Sequence, residues 1–271
     1  MPLEYLVDDK SLDQTSAELT GWPKPLARLR EALEKSEFAL YCQPIAALAK
    51  DPGSRERYPM AEVLVRMREE ERALLPPGEF LPVFEHYGMM PQLDRWVLRH
   101  TVQQLARGSR IPRFTVNVSG QTMRDAGFPA FVAAELRAAG IAMDAVMFEI
   151  DESEALARPE SAAAFASAVK AYGGGVLLDS FCHRAVSFAP IKALRPDFVK
   201  VDGSVIRKLL TNEGAQSKLK AVVRVALALG IGVVAECVET PEVLARLKAL
   251  DVGFAQGFGV YQPQPIEKVV G

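Results

Sequence analysis

Gly174-Gly175-Val176-Leu177-Leu178-Asp179-Ser180-Phe181 is the stretch whose reading decides the fold. The glycine pair releases the backbone from a preceding helix. Val176-Leu177-Leu178 is too short for a helix and has the apolar continuity of a buried strand. The strand ends on Asp179, and the C-terminal end of a buried parallel strand is where α/β barrels keep their chemistry. A carboxylate after a strand is also an ordinary helix N-cap, and this stretch alone does not separate the two. Recurrence favours the first reading. Phe114-Thr115-Val116 ends on Asn117, Val146-Met147-Phe148 on Glu149, and Phe198-Val199 on Lys200 with Asp202 just beyond. Gly232-Val233-Val234-Ala235 ends on Glu236, and Tyr58-Pro59-Met60-Ala61 reaches Glu62. Short apolar runs that each deliver a polar group predict a shared polar face at one end of a sheet or barrel.

The chain has 271 residues, 49% hydrophobic and 24% charged, which suits one soluble, barrel-sized domain. A net charge of -2 gives no electrostatic reason to expect a nucleic-acid polymer or a membrane surface as partner. No apolar run approaches the roughly 20 residues that span a bilayer, and 1–10 lack the basic and apolar regions of a signal peptide. Three cysteines, Cys42, Cys182 and Cys237, show no metal-ligand spacing. A reduced, cytoplasmic setting is expected. Residues 1–23 are polar, close on Trp22-Pro23, and read as a leader or the end of a linker from an upstream module. The domain proper is 24–271.

Along that domain a helix is expected over 25–35, strands over 38–45 and 59–66, and a turn over 51–54. The charge run 68–72 reads as a solvated loop or helix start. Helices follow over 76–86 and from 90, and from there strand and helix alternate. The last strand covers 254–257, and Pro263 and Pro265 end the regular structure. Roughly eight strands with intervening helices predict a (β/α)₈-like barrel.

Several of these segments resemble the motifs of the EAL domain family, the bacterial cyclic di-GMP phosphodiesterases and their inactive relatives. They are Tyr41-Cys42-Gln43-Pro44-Ile45, Ala61-Glu62-Val63-Leu64-Val65-Arg66, Leu93-Asp94-Arg95-Trp96, Asn117-Val118-Ser119 and Glu149-Ile150-Asp151-Glu152. Val199-Lys200-Val201-Asp202, Ala235-Glu236-Cys237-Val238-Glu239-Thr240 and Gln256-Gly257-Phe258 continue the set, in order, over 24–266. The resemblance implies a modified TIM-like barrel whose first strand runs antiparallel to the rest. It implies Mg²⁺ or Mn²⁺ held by Glu62, Asn117, Glu149 and Asp179, a donor set that suits hard cations. Glu62, Lys200 and Glu236 would be catalytic, with Gln43, Arg66, Asp202, Glu239 and Gln256 toward the nucleotide. Arg66 lies on the same side as Glu62 by strand alternation, though it is also compatible with a surface ion pair. Gln256 is compatible with a structural strand-end amide.

Three departures bear on activity. The signature reads Glu62-Val63-Leu64, an apolar exchange on the face away from Glu62. Active members carry two adjacent aspartates where this chain has Asp179-Ser180, and a serine is a poor ligand for a second metal. One metal site is therefore expected, with the second compromised. The loop that follows, 181–188, has lost the family's glycines, which makes φ > 0 less accessible there. Glu152, the implied anchor of that loop, is retained, and Arg184 is a candidate partner for it. His183 reads as a solvent-exposed loop residue rather than a replacement ligand. The expected function is a degenerate cyclic di-GMP receptor with weak or no hydrolysis. The alternatives are an active phosphodiesterase yielding linear pGpG and a module that has kept only protein contacts. A homodimer, a protein partner and an upstream sensory domain are all compatible with the resemblance.

Overall fold

The computed structural model describes residues 21–48, 57–69, 73–183 and 186–270. The expected leader before residue 21, the turn at 51–54 and Arg184 lie outside them. The strands are β1 (Phe38–Ala47), β2 (Met60–Glu69), β3 (Ala73–Leu75), β4 (Arg113–Asn117), β5 (Val146–Asp151), β6 (Gly175–Phe181), β7 (Phe198–Val201), β8 (Gly232–Ala235), β9 (Phe254–Ala255) and β10 (Gln264–Pro265). Eight of them close a ring in the order β1-β9-β8-β7-β6-β5-β4-β2, sealed by the β1–β2 pair. The β1 strand is antiparallel to β2 and β9, while β2 and β4 through β9 run parallel. This is the architecture the sequence predicts, with the reversed first strand.

The helices are α1 (Pro25–Glu34), α2 (Pro77–His86), α3 (Met90–Leu105), α4 (Phe128–Ala138), α5 (Glu152–Ala157), α6 (Pro159–Ala171), α7 (Ala189–Leu194), α8 (Gly203–Ile206), α9 (Glu213–Leu229), α10 (Pro241–Ala249) and α11 (Ile266–Val270). Proline opens α1, α2, α3, α4, α6, α7 and α10, where its missing N–H removes nothing from the helix. Asn212 caps α9 through a 2.9 Å bond from the Ala215 amide, and Gly230 ends it at φ 71°.

Strand alternation splits the core into two layers. On β5, Val146, Phe148 and Ile150 point to the helices, where Phe148 meets Phe128 at 5.9 Å and Phe165 at 5.7 Å. The other face of the strand looks into the barrel. There Ile45, Met60, Met147 and Val234 form a separate apolar cluster, with Phe198 and Phe254 packed against it. Each of these six is two residues from a polar group the sequence singles out: Gln43, Glu62, Glu149, Glu236, Lys200 and Gln256. Two residues along a strand keep the same face. The polar layer is therefore stacked directly on the apolar one.

Three expectations need correction. Arg68 and Glu69, which open the charge run, extend β2 rather than begin a loop or helix, and β3 from Ala73 pairs Leu75 with Met67; 70–72 lie outside the described residues. Regular structure does not stop at the C-terminal prolines. Pro265 stands opposite Tyr41 in β10, and α11 follows directly. The last ring strand is shorter than expected, Phe254–Ala255, and Gln256 sits just past it.

Phe148→Ala should empty the junction of β5, α4 and α6. A loss of about 3–5 kcal/mol is expected, read as a lower urea midpoint with an unchanged slope.

Candidate functional site

The polar layer converges on the ammonium of Lys200. Lys200 is 1% exposed, yet its Nζ donates to Glu149 Oε2 at 2.5 Å and to Glu62 Oε2 at 3.0 Å, with Asp179 Oδ1 at 3.5 Å. Four strands, β2, β5, β6 and β7, are thus tied at one atom. Glu62 is the busiest acceptor. Its Oε1 takes Asn117 Nδ2 at 3.0 Å, and its Oε2 also takes Gln256 Nε2 at 2.7 Å. Gln256 Nε2 further donates to Gln43 Oε1 at 3.2 Å, and Gln43 Nε2 donates to the Tyr261 carbonyl at 2.8 Å.

Electrostatics follow from this packing. Burial alone would push Glu62 up, but Lys200 and the donors Gln256 and Asn117 outweigh it and hold the carboxyl below its usual range. Glu149 goes the other way. Burial, reinforced by the charge of Glu62, pushes it up to about 8 against the pull of Lys200. Burial likewise raises Asp179. For Lys200 itself burial favours the neutral amine, but Asp179, Glu149 and Glu62 together hold it well above the ordinary lysine value. Glu236 is pushed up to about 7 by burial and by Asp179, while its Oε1 accepts the Gly203 amide at 2.5 Å.

Among the described residues no three acidic, histidine or cysteine side chains form a ready metal cage. The carboxylates surround an ammonium instead. Two observations nevertheless fit a cation of higher charge. Glu149 Oε1 and Asp179 Oδ1 are buried without a hydrogen-bond donor, and the carboxylates of Glu62, Glu149 and Asp179 supply the oxygen ligands that hard cations prefer. Glu62, Asn117, Glu149 and Asp179 are the residues that would hold it.

The remaining expected residues lie farther out. Gln43 and Gln256 are buried, 8% and 3% exposed; Gln256 braces the Glu62 carboxylate, Gln43 holds Gln256, and both line the cleft beside Glu62. Arg66 packs its guanidinium 5.8 Å from the centre of the Tyr41 ring and donates to the Val65 carbonyl at 2.8 Å. Glu239 is exposed and lines a cleft of about 140 Å³ with Glu62, Glu236, Gln256 and the exposed ring of Phe258. Asp202 is a helix cap. It accepts the Ser204 amide at 2.8 Å and stands 3.2 Å from His183 Nδ1. His183 is therefore exposed, as expected, but engaged.

The rewritten loop also departs from expectation. Without glycine, Ser180 at φ 54° and Cys182 at φ 68° still adopt the left-handed region. The Cys182 amide donates to Glu152 Oε2 at 3.1 Å, so the retained anchor has a partner in the backbone itself. Sequence reasoning missed the Tyr261 carbonyl and the Gly203 and Cys182 amides, because backbone groups carry no residue-type signal. Gly203 had a reason of its own, since a Cβ there would lie 2.5 Å from Cys237 Sγ.

The EAL domain model matches residues 26–263. The chain belongs to the EAL domain family. Among relatives, it is 29% identical over 97% of its length to cyclic di-GMP phosphodiesterase PdeB of Shewanella oneidensis, and 31% identical over 88% to PdeF of Escherichia coli. It spans only 30% and 32% of those two proteins. Among solved structures, it matches the phosphodiesterase PaMucR in complex with c-di-GMP with a TM-score of 0.82 and 27% identity, covering 91% of this chain and 99% of that one. The EAL domain of FimX from Pseudomonas aeruginosa bound to c-di-GMP gives 0.79 and 26%, covering 89% and 96%. No helix among the described residues of this EAL domain is long and apolar enough to cross a membrane.

Lys200→Met should leave three buried carboxylates without their cation. In chelator a loss of about 3–5 kcal/mol is expected, measured by urea unfolding. Excess Mg²⁺ or Mn²⁺ should recover part of it. A variant that neither metal stabilises would show that this site does not accept a divalent ion.

Proposed function

We propose that this EAL domain binds cyclic di-GMP across the C-terminal mouth of its barrel and acts as a degenerate receptor or regulator, with weak or no hydrolysis. One observation carries the reading. Ser180, with no charge and a turned backbone, stands directly after Asp179, where active members have a second aspartate. The polar layer around Lys200 is otherwise complete, which supports retained recognition. The named relatives are phosphodiesterases, and the solved neighbours hold the dinucleotide, which supports this ligand over others.

A Mg²⁺ or Mn²⁺ ion, when bound at Glu62, Asn117, Glu149 and Asp179, supplies Lewis-acid polarisation of a phosphodiester oxygen. The chain's own groups bind and orient. Lys200 offsets the carboxylate charge that would repel the phosphates. Gln256, held by Gln43, fixes Glu62. Arg66, stacked by Tyr41, faces the side of β2 that carries Glu62, and there it offers a guanidinium to a phosphate. Phe258 and Glu239 edge the cleft on the opposite wall. With Ser180 in place of a carboxylate, a second ion that would stabilise attacking or leaving oxygen has lost a ligand.

A second reading, an active phosphodiesterase that opens the ring to linear pGpG, is favoured by the convergence of Glu62, Asn117, Glu149, Asp179 and Lys200 at one place. Incubation with cyclic di-GMP and Mg²⁺ or Mn²⁺, with retained ligand and linear product both measured, separates the two. Tight retention with slow product is expected, and Ser180→Asp should raise turnover. Turnover of the natural chain at about 1–10³ s⁻¹, ordinary for enzymes, would establish the second reading instead. Absence of any nucleotide binding would leave the domain to protein contacts.

Arg66→Ala should weaken cyclic di-GMP binding by roughly 10-fold or more, the scale of one lost charge-assisted hydrogen bond, in calorimetric titration. Parent-like affinity would move the phosphates away from β2.

A further inference from the structure

One motif of the sequence stands outside the polar layer: Leu93-Asp94-Arg95-Trp96, in the first half of α3. Asp94 is 6% exposed. Its Oδ2 accepts three bonds, from the Ser119 amide at 3.1 Å, the Ser119 hydroxyl at 2.8 Å and the Thr122 hydroxyl at 2.6 Å. Among the described residues no lysine, arginine or histidine bonds to it, and the adjacent Arg95 turns to Asp125 at 2.6 Å. A buried carboxylate held only by neutral donors is costly, and burial pushes Asp94 up against the pull of those donors. Groups kept at such a cost gather at functional sites.

The three donors share one loop. It leaves β4 at Asn117 and runs through a short turn, Thr122–Arg124, to α4. Four of its residues are tied to the first half of α3: Ser119 and Thr122 at Asp94, Asp125 at Arg95, and Gln121, whose side chain accepts the Met90 amide at 3.3 Å. The Ser119 hydroxyl also accepts the Thr122 amide at 3.1 Å, so Asp94 closes the turn. On the other side Gly120 lies under the Glu154 and Arg158 side chains, where a Cβ would overlap the carboxylate. Asn117 itself is exposed, and its Nδ2 reaches Glu62 Oε1 at 3.0 Å. Burial does not hold an exposed amide in place. Its backbone does, through the Val118 amide on the Glu149 carbonyl at 3.1 Å and then through Ser119.

We propose that Asp94 is a positioning residue of the barrel mouth: it anchors the backbone two residues past Asn117 and thereby holds the Asn117 amide on Glu62. It acts through Ser119. Without the anchor, Asn117 leaves Glu62, and the carboxylate loses one of the donors that keep it ionised. The set of Glu62, Asn117, Glu149 and Asp179 then loses the fixed place of one member. The effect on cyclic di-GMP binding rests on the receptor reading, whereas the effect on the amide does not.

The sequence makes the test direct, because Asn117 and Asn212 are its only asparagines. Labelling the full chain with ¹⁵N-asparagine gives two side-chain amide pairs by NMR, and Asn212→Ser assigns them. Asp94→Ala should shift the Asn117 pair and speed its exchange with water by about tenfold, with the Asn212 pair unmoved. Asp94→Asn keeps the shape and one acceptor oxygen, and should restore most of the parent signal. Leu247→Ala, buried in α10, should lower the urea midpoint and leave the Asn117 pair in place. If Asp94→Ala does not fold, Ser119→Ala removes one donor from the same oxygen and should shift the pair in the same direction. A parent-like Asn117 pair in the variant that folds, or an equal shift in Leu247→Ala, would overturn the proposal. In calorimetry, Asp94→Ala and Asn117→Ala should each weaken cyclic di-GMP binding by about tenfold, and the double variant no further than Asn117→Ala alone. Additive losses would also overturn it. A parent chain that binds no cyclic di-GMP would end the receptor reading, while the amide signals still decide the role of Asp94.

Discussion

The buried ammonium of Lys200 is the constraint on which the barrel mouth depends. Taking one charge out of water is expensive, and it is tolerated only where partners surround it. Here the partners come from β2, β5 and β6, and the donors that finish Glu62 come from β4 and from the residue after β9. Gln43 passes the network to β1 and on to the Tyr261 carbonyl. Nearly every ring strand must therefore end at the right height for the network to close. The height is set one layer below, by Ile45, Met60, Met147, Val234, Phe198 and Phe254. Large side chains fill the barrel there and leave the next inward position on each strand to a polar group.

That two-layer arrangement explains what could be seen in the sequence. An apolar residue followed two places later by a carboxylate, amide or lysine is legible strand by strand. The repetition across strands is what separates a barrel mouth from scattered helix caps. The centre of the network was not legible. Lys200 looks like one strand-end residue among several, and only the reach of its side chain makes it the hub. Gln43 and Gln256 were placed toward the nucleotide by the resemblance; that they also form a hydrogen-bonded brace behind Glu62 while lining the cleft was not legible. Asp202 shows the opposite case, a strand-end carboxylate that does turn out to be a helix cap. The β3 and β10 strands were missed because three and two residues carry no usable period.

The loop after Asp179 shows where composition misleads. Loss of glycine argued against a left-handed backbone, yet Ser180 and Cys182 both adopt one. The cause is visible on either side. Leu178 pairs with Val199 and Phe181 with Val201, so three residues on β6 span two on β7. This irregularity is bulge-like, and an extra residue in a strand is accommodated by a local turn. Phe181 is fully buried and anchors the far side, while Glu152 holds the Cys182 amide. Packing and one hydrogen bond thus impose a conformation that the residue types alone disfavour.

The same bulge bears on what the serine means. If Ser180 had replaced an aspartate because the backbone could no longer accept one, the site would have been rebuilt. The geometry argues otherwise. Aspartate enters the left-handed region more readily than most residues other than glycine, and at φ 54° the position suits it at least as well as serine. Around it Asp179 stands beside Lys200 and Glu152 holds the Cys182 amide. What differs is charge. A second carboxylate next to Asp179 would add repulsion to a cluster in which burial already raises Glu149 and Asp179, and only a further cation would offset it. The serine relieves that demand. Lys200 as a resident cation offsets part of that charge, and this electrostatic balance is the ground for the receptor reading proposed above.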